Sequence, residues 1–277
     1  MERPSKRLVM LLFKYIFKEL YHTFKTKSAR QFLRLLWQYG DAPRHTQTEV
    51  NFEKYTFLVP DCLSFVWQFK EIFVDNFYAF ATSSKHPVVF DCGANVGVSV
   101  AYFKQKHPNA RVVAFEADPK IGQILLKNIK NNRVEGVEIV NKAIWIDDQG
   151  VMFGSEAADS SSIFSTAASN RVPSVRLRDL LLREETIDFL KIDIEGAEMS
   201  VLADCRDALA HVQHIFVEFH AYIGHPQALA EVVQVLQNAG FRYYIDTNQH
   251  RSAPFMNHRY RQNDVMDLQL NIYGYRQ

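Results

Sequence analysis

The pattern of apolar and polar residues changes character near residue 88. From there on, short apolar runs typical of strands alternate with longer segments in which apolar residues recur at helical spacing. The predicted strands are Val88–Phe90, Arg111–Phe115, Val137–Val140, Ala143–Ile146, Ile187–Ile192, Val212–Phe219, Phe241–Ile245 and Leu268–Tyr273. The predicted helices are Val98–His107, Pro119–Asn131, Ala197–Leu209 and Ala228–Ala239. This alternation predicts an α/β fold with a doubly wound, mostly parallel sheet that is covered on both faces.

The residues before this region follow a different pattern. A helix is expected over residues 28–39, beginning at Ser28, and residues 50–59 alternate as a short strand pair does. The aromatic-rich segment Phe65–Phe80 is expected to be helical. Three parts follow from these patterns: a basic helical extension (1–49), a strand and helix cap segment (50–87) and the main α/β domain (88–277).

Positive charge is concentrated at the N-terminus. The whole chain carries a net charge of +1, yet residues 1–34 hold nine Lys or Arg residues against two Glu. Apolar residues between Leu8 and Tyr21 surround Lys14 and Lys18, which predicts a basic amphipathic helix. Such a helix packs on its own domain or on a second subunit, or lies on an anionic membrane surface. Because Lys14 interrupts the apolar run and no small-residue cleavage site follows, we expect no secretory signal.

Cysteine usage and overall charge indicate which cellular compartment and which kind of partner to expect. Cys62, Cys92 and Cys205 are widely spaced and form no CxxC pair, which favours a reducing, cytoplasmic compartment. A peripheral position at the inner membrane face is expected only if the N-terminal helix binds lipid. No run approaches the roughly 20 apolar residues that span a bilayer. The near-neutral charge gives no reason to expect a nucleic-acid partner, and the oligomeric state is left open.

A glycine-containing turn follows the first strand of the α/β region. The segment VVFDCGANVG places Asp91 at the end of the apolar run, with Gly93 and Gly97 after it. Such a turn lets the backbone approach a ligand. Asn95 stands where a dinucleotide-binding Gly-x-Gly-x-x-Gly motif has its middle glycine, so the turn is poorly suited to a pyrophosphate. An acid just before the glycines instead suits a positively charged nucleoside ligand such as S-adenosylmethionine.

A second acid, Glu116, directly follows the strand Arg111–Phe115. A carboxylate at the tip of the second strand can accept hydrogen bonds from both ribose hydroxyls of a nucleoside. The feature occurs in NAD sites and in S-adenosylmethionine sites alike, so it indicates only a nucleoside. A purely structural strand-turn-helix unit is the alternative.

Five segments resemble, in order and approximate spacing, the FkbM-type family of S-adenosylmethionine-dependent methyltransferases. They are FDCGANVGVS, VVAFEADP, NKAIW, DFLKIDIEGAEMSVL and IFVEFH, and they fall within roughly residues 70–245. The resemblance implies a seven-stranded class I methyltransferase sheet, S-adenosylmethionine as cofactor and a hydroxyl acceptor, often on a sugar or polyketide-like scaffold. Residues 1–50 lie outside it, and Cys92 stands where a small apolar residue is commoner.

The resemblance also implies which residues bind the cofactor. They are Asp91, Gly93, Asn95 and Gly97 for the methionine part, Glu116 for the ribose, and Asn141 and Ala143 for the adenine edge.

Two further strand ends carry residues that are candidates for positioning or deprotonating the methyl acceptor. Asp193 follows the strand Ile187–Ile192, beside the expected position of the transferable methyl group. Glu218 and His220 end the next strand, and alternation sends both side chains to the same side. Because a histidine can take a proton from a hydroxyl, we expect His220 to be the general base, with Asp193 and Glu218 positioning substrate or cofactor.

A metal-assisted reaction is the alternative at the same place, although a metal-free site is favoured. Asp193, Glu195 and Glu218 offer oxygen ligands that Mg²⁺ accepts, and a bound ion would lower the pKa of an acceptor hydroxyl. Glu195 and Glu198 are also expected to share one face of the first turn of a helix, where acids interact favourably with the helix dipole.

These observations predict an S-adenosylmethionine-dependent O-methyltransferase that acts on a hydroxyl of a sugar, a glycan or a glycosylated small molecule. Two alternatives are an oxidoreductase that uses NAD or a nucleotide sugar, and a non-catalytic ligand-binding module with the same fold. The missing middle glycine argues against the oxidoreductase. The polar segment Ser155–Ser169 is expected to be a mobile loop over the acceptor site.

Overall fold

The computed structural model describes residues 26–154, 169–247, 251–260 and 265–277. The expected N-terminal amphipathic helix, and nearly all of the expected loop Ser155–Ser169, lie outside these residues. The chain divides into two compact units, Met1–Phe77 and Tyr78–Gln277. Among the described residues, no helix has the length and apolar character needed to cross a bilayer.

The first unit is built around a cluster of aromatic rings. Its elements are α1 (Lys27–Tyr39), the antiparallel strands β1 (Thr48–Phe52) and β2 (Tyr55–Val59), α2 (Cys62–Phe69) and a π-helical turn (Lys70–Val74). The buried Phe52 ring lies 5.1–5.9 Å from five other rings, those of Tyr55, Phe57, Phe65, Phe69 and Phe73. The strand pair is confirmed, whereas the helix within Phe65–Phe80 stops well before Phe80.

Side-chain caps fix where α1 and α2 begin. The Thr26 hydroxyl accepts a hydrogen bond of 3.1 Å from the Ala29 amide. Thr26 is therefore the N-cap of α1, and the expectation of Ser28 is wrong because this bond starts the helix earlier. Asp61 caps α2 by accepting a bond of 2.9 Å from the Ser64 amide.

The described residues of the second unit form eleven strands. They are β3 (Val88–Cys92), β4 (Arg111–Phe115), β5 (Val137–Val140), β6 (Ala143–Trp145), β7 (Val151–Gly154), β8 (Ser169–Val172), β9 (Ser174–Arg176), β10 (Ile187–Ile192), β11 (Val212–Tyr222), β12 (Arg242–Asp246) and β13 (Met266–Tyr275). Its helices are α3 (Val98–Lys106), α4 (Pro119–Asn131), α5 (Leu177–Leu181), α6 (Glu198–Asp204) and α7 (Leu229–Asn238).

Seven of these strands form one sheet in the order β12-β13-β11-β10-β3-β4-β5. All neighbours from β11 to β5 are parallel, and β13 runs antiparallel to both β11 and β12. The predicted mostly parallel sheet is confirmed. Every residue of the central strand β10 is buried, as expected for a strand covered on both faces. Burying one Val, Leu or Ile side chain contributes about 1.5–3 kcal/mol, so this strand is a large part of the core.

The helix expected over Ala197–Leu209 is shorter than predicted. Helix α6 ends at Asp204, and a 3-10 turn follows over Ala208–His211. Arg176 makes two hydrogen bonds with the Asp204 carboxylate, and Arg178 makes two with Asp207. These pairs hold the chain in a turn between the two segments, an arrangement that local apolar spacing does not encode.

Strand register brings the candidate residues together. Asp91 on β3 lies beside Lys191 on β10, and Ile192 at the end of β10 lies beside Val217 on β11. Because the three strands are parallel, their carboxyl ends form one edge of the sheet. Ligands of open α/β sheets bind at that edge.

Candidate active site

The loop between β3 and α3 takes a backbone conformation that requires its glycines. Gly93, Asn95 and Gly97 have φ values of 91°, 48° and 95°. A Cβ atom at Gly93 would overlap the carbonyl oxygen of Asp193, so the two loops are in direct backbone contact. The amides of Gly93 and Ala94 donate to the Phe115 carbonyl oxygen at 3.0 and 2.8 Å. The loop is therefore fixed against the ends of both neighbouring strands.

Asp91 lies behind this loop with no exposed surface. It accepts a hydrogen bond of 2.5 Å from the Ser99 hydroxyl, and its Oδ1 lies 3.5 Å from Lys191 Nζ without a hydrogen-bond partner. Burial raises the pKa of Asp91, and the nearby Lys191 ammonium opposes this. The positively charged group that faces Asp91 is thus a side chain of the same protein.

Lys191 connects the two loops, a role that the sequence reasoning missed. Its Nζ donates to the Gly93 carbonyl oxygen at 2.8 Å and to the Asp193 carboxylate at 3.0 Å. Burial lowers the pKa of this lysine, but the carboxylates of Asp193 and Asp91 outweigh burial and raise it above its usual value. A lysine within an otherwise apolar strand, two residues before an acid, was the available signal, because alternation puts residues 191 and 193 on the same side.

Glu116 is buried at the tip of β4 and supports the loop. Its carboxylate accepts a hydrogen bond of 2.9 Å from the Asn95 amide and one of 2.8 Å from the Asp118 amide. Burial raises its pKa to about 7, because the two amide bonds compensate only in part. The carboxylate keeps further lone pairs beyond those that the two amides use.

Asn141 and Ala143 follow β5, the strand that pairs with β4. The Asn141 side-chain amide donates to the Glu116 carbonyl oxygen at 2.7 Å. The Ala143 amide donates to the Pro173 carbonyl oxygen at 2.8 Å, and the Ala143 side chain is buried. This turn is thereby attached to the end of β4 and to the chain before β9.

A second group of side chains surrounds His220 at the end of β11. The His220 side chain is 2% exposed, and its Nδ1 lies 3.0 Å from Glu198 Oε1. Glu198, 1% exposed, also accepts hydrogen bonds of 3.1 Å from the Gly196 amide. Glu195 does not share the first turn of α6 with Glu198, because it precedes that helix with a positive φ of 53°. The predicted common face is therefore wrong.

Glu195 faces the other side of the imidazole. Its Oε2 lies 3.6 Å from His220 Nε2 and accepts a hydrogen bond of 3.1 Å from the Tyr222 hydroxyl. Burial raises the pKa of Glu195 to about 7, and the nearby His220 opposes this. Burial lowers the pKa of His220, but Glu195 and Glu198 together outweigh burial and raise it well above its usual value. The raised pKa favours the protonated form of His220. A protonated imidazole has no lone pair free to accept a proton, which disfavours the predicted role of His220 as general base.

Asp193, Glu195 and His220 converge, whereas Glu218 does not join them. One donor atom from each of the three lies within 4.8 Å of the other two. Glu218 contacts Gln269 on the neighbouring strand β13 and lies outside the group. The candidate metal set Asp193, Glu195 and Glu218 is therefore not the one that the structure brings together.

The chain as a whole matches one family of proteins. Residues 91–243, more than half of the chain, match the model of the methyltransferase FkbM domain. The chain belongs to the FkbM methyltransferase family. Its sheet, with one antiparallel strand inserted next to the edge, is the seven-stranded class I methyltransferase sheet that this family was expected to have.

Several relatives of this FkbM-family chain are similar in sequence. It is 30% identical to "Methyltransferase sdnD" of Sordaria araneosa over 48% of this chain, and it spans 66% of the length of that relative. It is 30% identical to "31-O-demethyl-FK506 methyltransferase FkbM" of Streptomyces tacrolimicus, over 62% of this chain and 80% of that one. It is 29% identical to "Hexuronic acid methyltransferase AglP" of Haloferax volcanii, over 48% of this chain and 56% of that one.

The residues present fit S-adenosylmethionine, the cofactor of this family. The loop after β3 has positive φ values at Gly93, Asn95 and Gly97, and Glu116 stands at the tip of the neighbouring strand. Backbone amides and carbonyls of such a loop can bind the amino-acid part, and the carboxylate can accept from ribose hydroxyls. The loop after β3 and Glu116 therefore suit the cofactor of the FkbM family.

Proposed function

We propose that this protein is an S-adenosylmethionine-dependent O-methyltransferase whose acceptor is a hydroxyl of a sugar, a glycan or a glycosylated small molecule. Membership of the methyltransferase family rests on the match over residues 91–243. The choice of oxygen and of a sugar-like acceptor is supported by relatives named as a 31-O-demethyl-FK506 methyltransferase and a hexuronic acid methyltransferase.

One structural relationship carries the proposal. The loop that contains Gly93 contacts the loop that contains Asp193, so the expected cofactor position and the Asp193–Glu195–His220 group lie at adjacent strand ends. Methyl transfer needs an acceptor oxygen in line with the sulfonium methyl group, and it needs a way to remove the hydroxyl proton. Adjacent positions of this kind meet both requirements.

Residues at the ends of β3, β4 and β5 are proposed to bind three parts of the cofactor. Backbone groups of Gly93, Asn95 and Gly97 bind the amino-acid part, Glu116 accepts from the ribose hydroxyls, and the turn of Asn141 and Ala143 lies along the adenine edge. Asp91 was expected to contact the cofactor ammonium, but it has no exposed surface. We therefore assign it to support of the loop through Ser99 and Lys191. When bound, S-adenosylmethionine supplies the electrophilic methyl group.

The acceptor side is assigned to Asp193, Glu195 and His220, with Glu218 next to them on β11. The Asp193 and Glu195 side chains are 22% and 32% exposed, so an acceptor can reach them from solvent. His220 lies beneath them, fixed by Glu198. This group orients the acceptor hydroxyl and assists the loss of its proton.

Two measurements on the full chain test the proposal. Calorimetric titration should detect binding of S-adenosylmethionine and no binding of NAD. Transfer of a radiolabelled methyl group to a panel of hexuronic acids, oligosaccharides and macrolides with free hydroxyls should identify an acceptor. His220→Asn should reduce turnover about 100-fold or more while cofactor affinity changes little.

His214→Asn is the matched control, because His214 lies on the same strand and its Nδ1 contacts the Asp188 carbonyl oxygen instead. Turnover of this control should equal that of the wild type. Binding of NAD in place of S-adenosylmethionine would contradict the proposal. Cofactor binding without transfer to any acceptor in the panel would favour the non-catalytic alternative.

A further inference from the structure

We propose that Asp193, Glu195 and His220 bind one divalent transition-metal ion, and that the acceptor hydroxyl reacts beside that ion. The inference deepens the proposed function and rests on it. It replaces direct proton uptake by His220, the role that the sequence suggested.

Distances within the group suit a single ion. Donors bound to one ion at about 2.1 Å lie at most about 4.2 Å apart. One donor atom from each of Asp193, Glu195 and His220 already lies within 4.8 Å of the others. Three donors on one ion lie about 3–4 Å apart, so side-chain movements on the order of 1 Å would complete the site.

The imidazole is held as metal-binding histidines are held. Glu198 contacts His220 Nδ1 at 3.0 Å, and Glu198 is itself fixed by the Gly196 amide. His220 Nε2 points toward Glu195 at 3.6 Å, beyond hydrogen-bond distance, and no hydrogen bond to it occurs within the described ranges. A ligand histidine usually donates its second ring N–H to a carboxylate in this manner. Binding of the ion would displace the Nε2 proton to solvent, and the neutral buried ring would then present that nitrogen to the ion.

The ligating carboxylate is oriented in the same way. The Tyr222 hydroxyl donates to Glu195 at 3.1 Å, which fixes the carboxylate next to the imidazole. Hydrogen bonds to ligating carboxylates are part of most protein metal sites. Each candidate ligand therefore has a supporting contact: Glu198 for His220, Tyr222 for Glu195 and Lys191 for Asp193.

Charge at this edge of the sheet also favours a cation. Asp193, Glu195 and Glu198 lie close together, and His220 lies between the two glutamates. The nearest permanent cation, Lys191, already contacts Asp91, Asp193 and the Gly93 carbonyl oxygen. A divalent ion would offset the remaining negative charge and become the largest local charge in the site.

The donor set indicates which ions fit. Two carboxylates with one imidazole suit Mn²⁺, Fe²⁺ or Zn²⁺ better than Mg²⁺ or Ca²⁺, which prefer oxygen ligands alone. Three protein ligands leave coordination positions open, and the partial exposure of Asp193 and Glu195 puts those positions on the solvent side.

In the reaction, the ion lowers the pKa of the acceptor hydroxyl, whose proton leaves to solvent. The oxygen–methyl bond forms as the sulfur–methyl bond breaks, and S-adenosylhomocysteine departs.

Mn²⁺ is the probe for the test, because electron paramagnetic resonance detects its binding without any acceptor or turnover. Metal-free full-length protein should bind one Mn²⁺ saturably. Asp193→Asn and Glu195→Gln should each weaken that binding by at least about tenfold. Both replacements keep the side-chain size at partly exposed positions, and circular dichroism checks that each variant folds. His214→Asn is the matched control and should bind Mn²⁺ as the wild type does.

Pulsed resonance spectra should show coupling of the bound Mn²⁺ to an imidazole nitrogen, and His220→Asn should remove that coupling. Absence of a saturable site in the wild type, or unchanged Mn²⁺ affinity in Glu195→Gln, would overturn the inference. Undiminished methyl transfer after exhaustive chelation would also overturn it and leave the proposed function intact. Mn²⁺ binding in a protein that does not bind S-adenosylmethionine would instead refute the proposed function.

Discussion

Lys191 Nζ donates a hydrogen bond of 2.8 Å to the carbonyl oxygen of Gly93, which joins the central strand of the sheet to the glycine-containing loop. The same ammonium group contacts the carboxylates of Asp91 and Asp193. One buried cation therefore positions the loop expected to bind the cofactor and the first residue of the expected acceptor group. Changes at this residue should affect both.

Replacing Lys191 by Met should strongly destabilise the protein. The methionine fills a similar volume, but it leaves two neighbouring carboxylates without their cation, and one of them is fully buried. Breaking a buried ion pair in this way costs about 3–5 kcal/mol in the free energy of unfolding. Urea denaturation followed by circular dichroism measures this loss in the free energy of unfolding. Lys106→Met at an exposed helix end is the control, and equal midpoints for the two variants would contradict this assignment.

Replacing Gly93 by Ala should abolish cofactor binding. The added Cβ overlaps the Asp193 carbonyl oxygen, and φ at this position is 91°. Gly224→Ala is a matched control, because Gly224 has a φ of 87° and nothing within 4 Å of the added Cβ. The control should lose about 1 kcal/mol of stability and keep its affinity for S-adenosylmethionine. Calorimetry on both variants decides: a similar loss of affinity in the two would show that backbone strain alone is responsible.

Cofactor binding should weaken as the pH falls through 7. Burial raises the pKa of Glu116 to about 7, so its carboxyl group is largely protonated below that pH. Since ribose hydroxyls donate to the ionised form, affinity for S-adenosylhomocysteine should fall roughly tenfold from pH 7.5 to pH 6. In Glu116→Gln the affinity should be lower and this part of the pH dependence absent. An identical pH profile in the wild type and the variant would remove Glu116 from the ribose site.

Ionisation of Glu116, which favours cofactor binding, has the opposite effect on the stability of the fold. The pKa of Glu116 in the folded protein lies above the ordinary value of 4.5, so ionisation opposes folding. This cost grows as the pH rises from 4.5 to about 7 and then stays constant. Glu116→Gln should therefore gain stability relative to the wild type between those pH values, as measured by urea midpoints.

Replacing Asp61 by Ala should destabilise the first unit by about 2 kcal/mol, as expected for loss of a cap together with other buried hydrogen bonds. Burial raises the pKa of Asp61, but hydrogen bonds from the Ser64 and His45 amides and from Arg44 outweigh burial and hold it far below its usual value. The stabilisation is therefore complete above pH 3.8 and decreases as the pH falls below it.

Asp75→Asn is the control for that prediction, because Asp75 forms an ion pair with Lys70 at the surface, where such pairs contribute little. Urea midpoints at pH 7 and at low pH measure both variants. If the difference between Asp61→Ala and the wild type were the same at pH 7 and well below pH 3.8, the carboxylate would not be the source of the stabilisation.

The sequence alone determined most of the fold, because the signals were local. Strand β10 and helix α4 have the predicted bounds, since a continuous apolar run and the Asp118–Pro119 start are properties of neighbouring residues. Glycines that precede a helix likewise indicated the loop after β3. Spacing and resemblance together therefore sufficed to propose the cofactor loop and Glu116 as a ribose ligand.

Only the tertiary structure decided how the charged residues pair. Lys191 and Gly93 are distant in sequence, and register between β3 and β10 brings them into contact. Register between β10 and β11 likewise places His220 beside Glu195 and Glu198, which raises its pKa, while Glu218 contacts β13 instead. Burial and long-range electrostatics depend on which strands are neighbours, and local spacing carries no information about that.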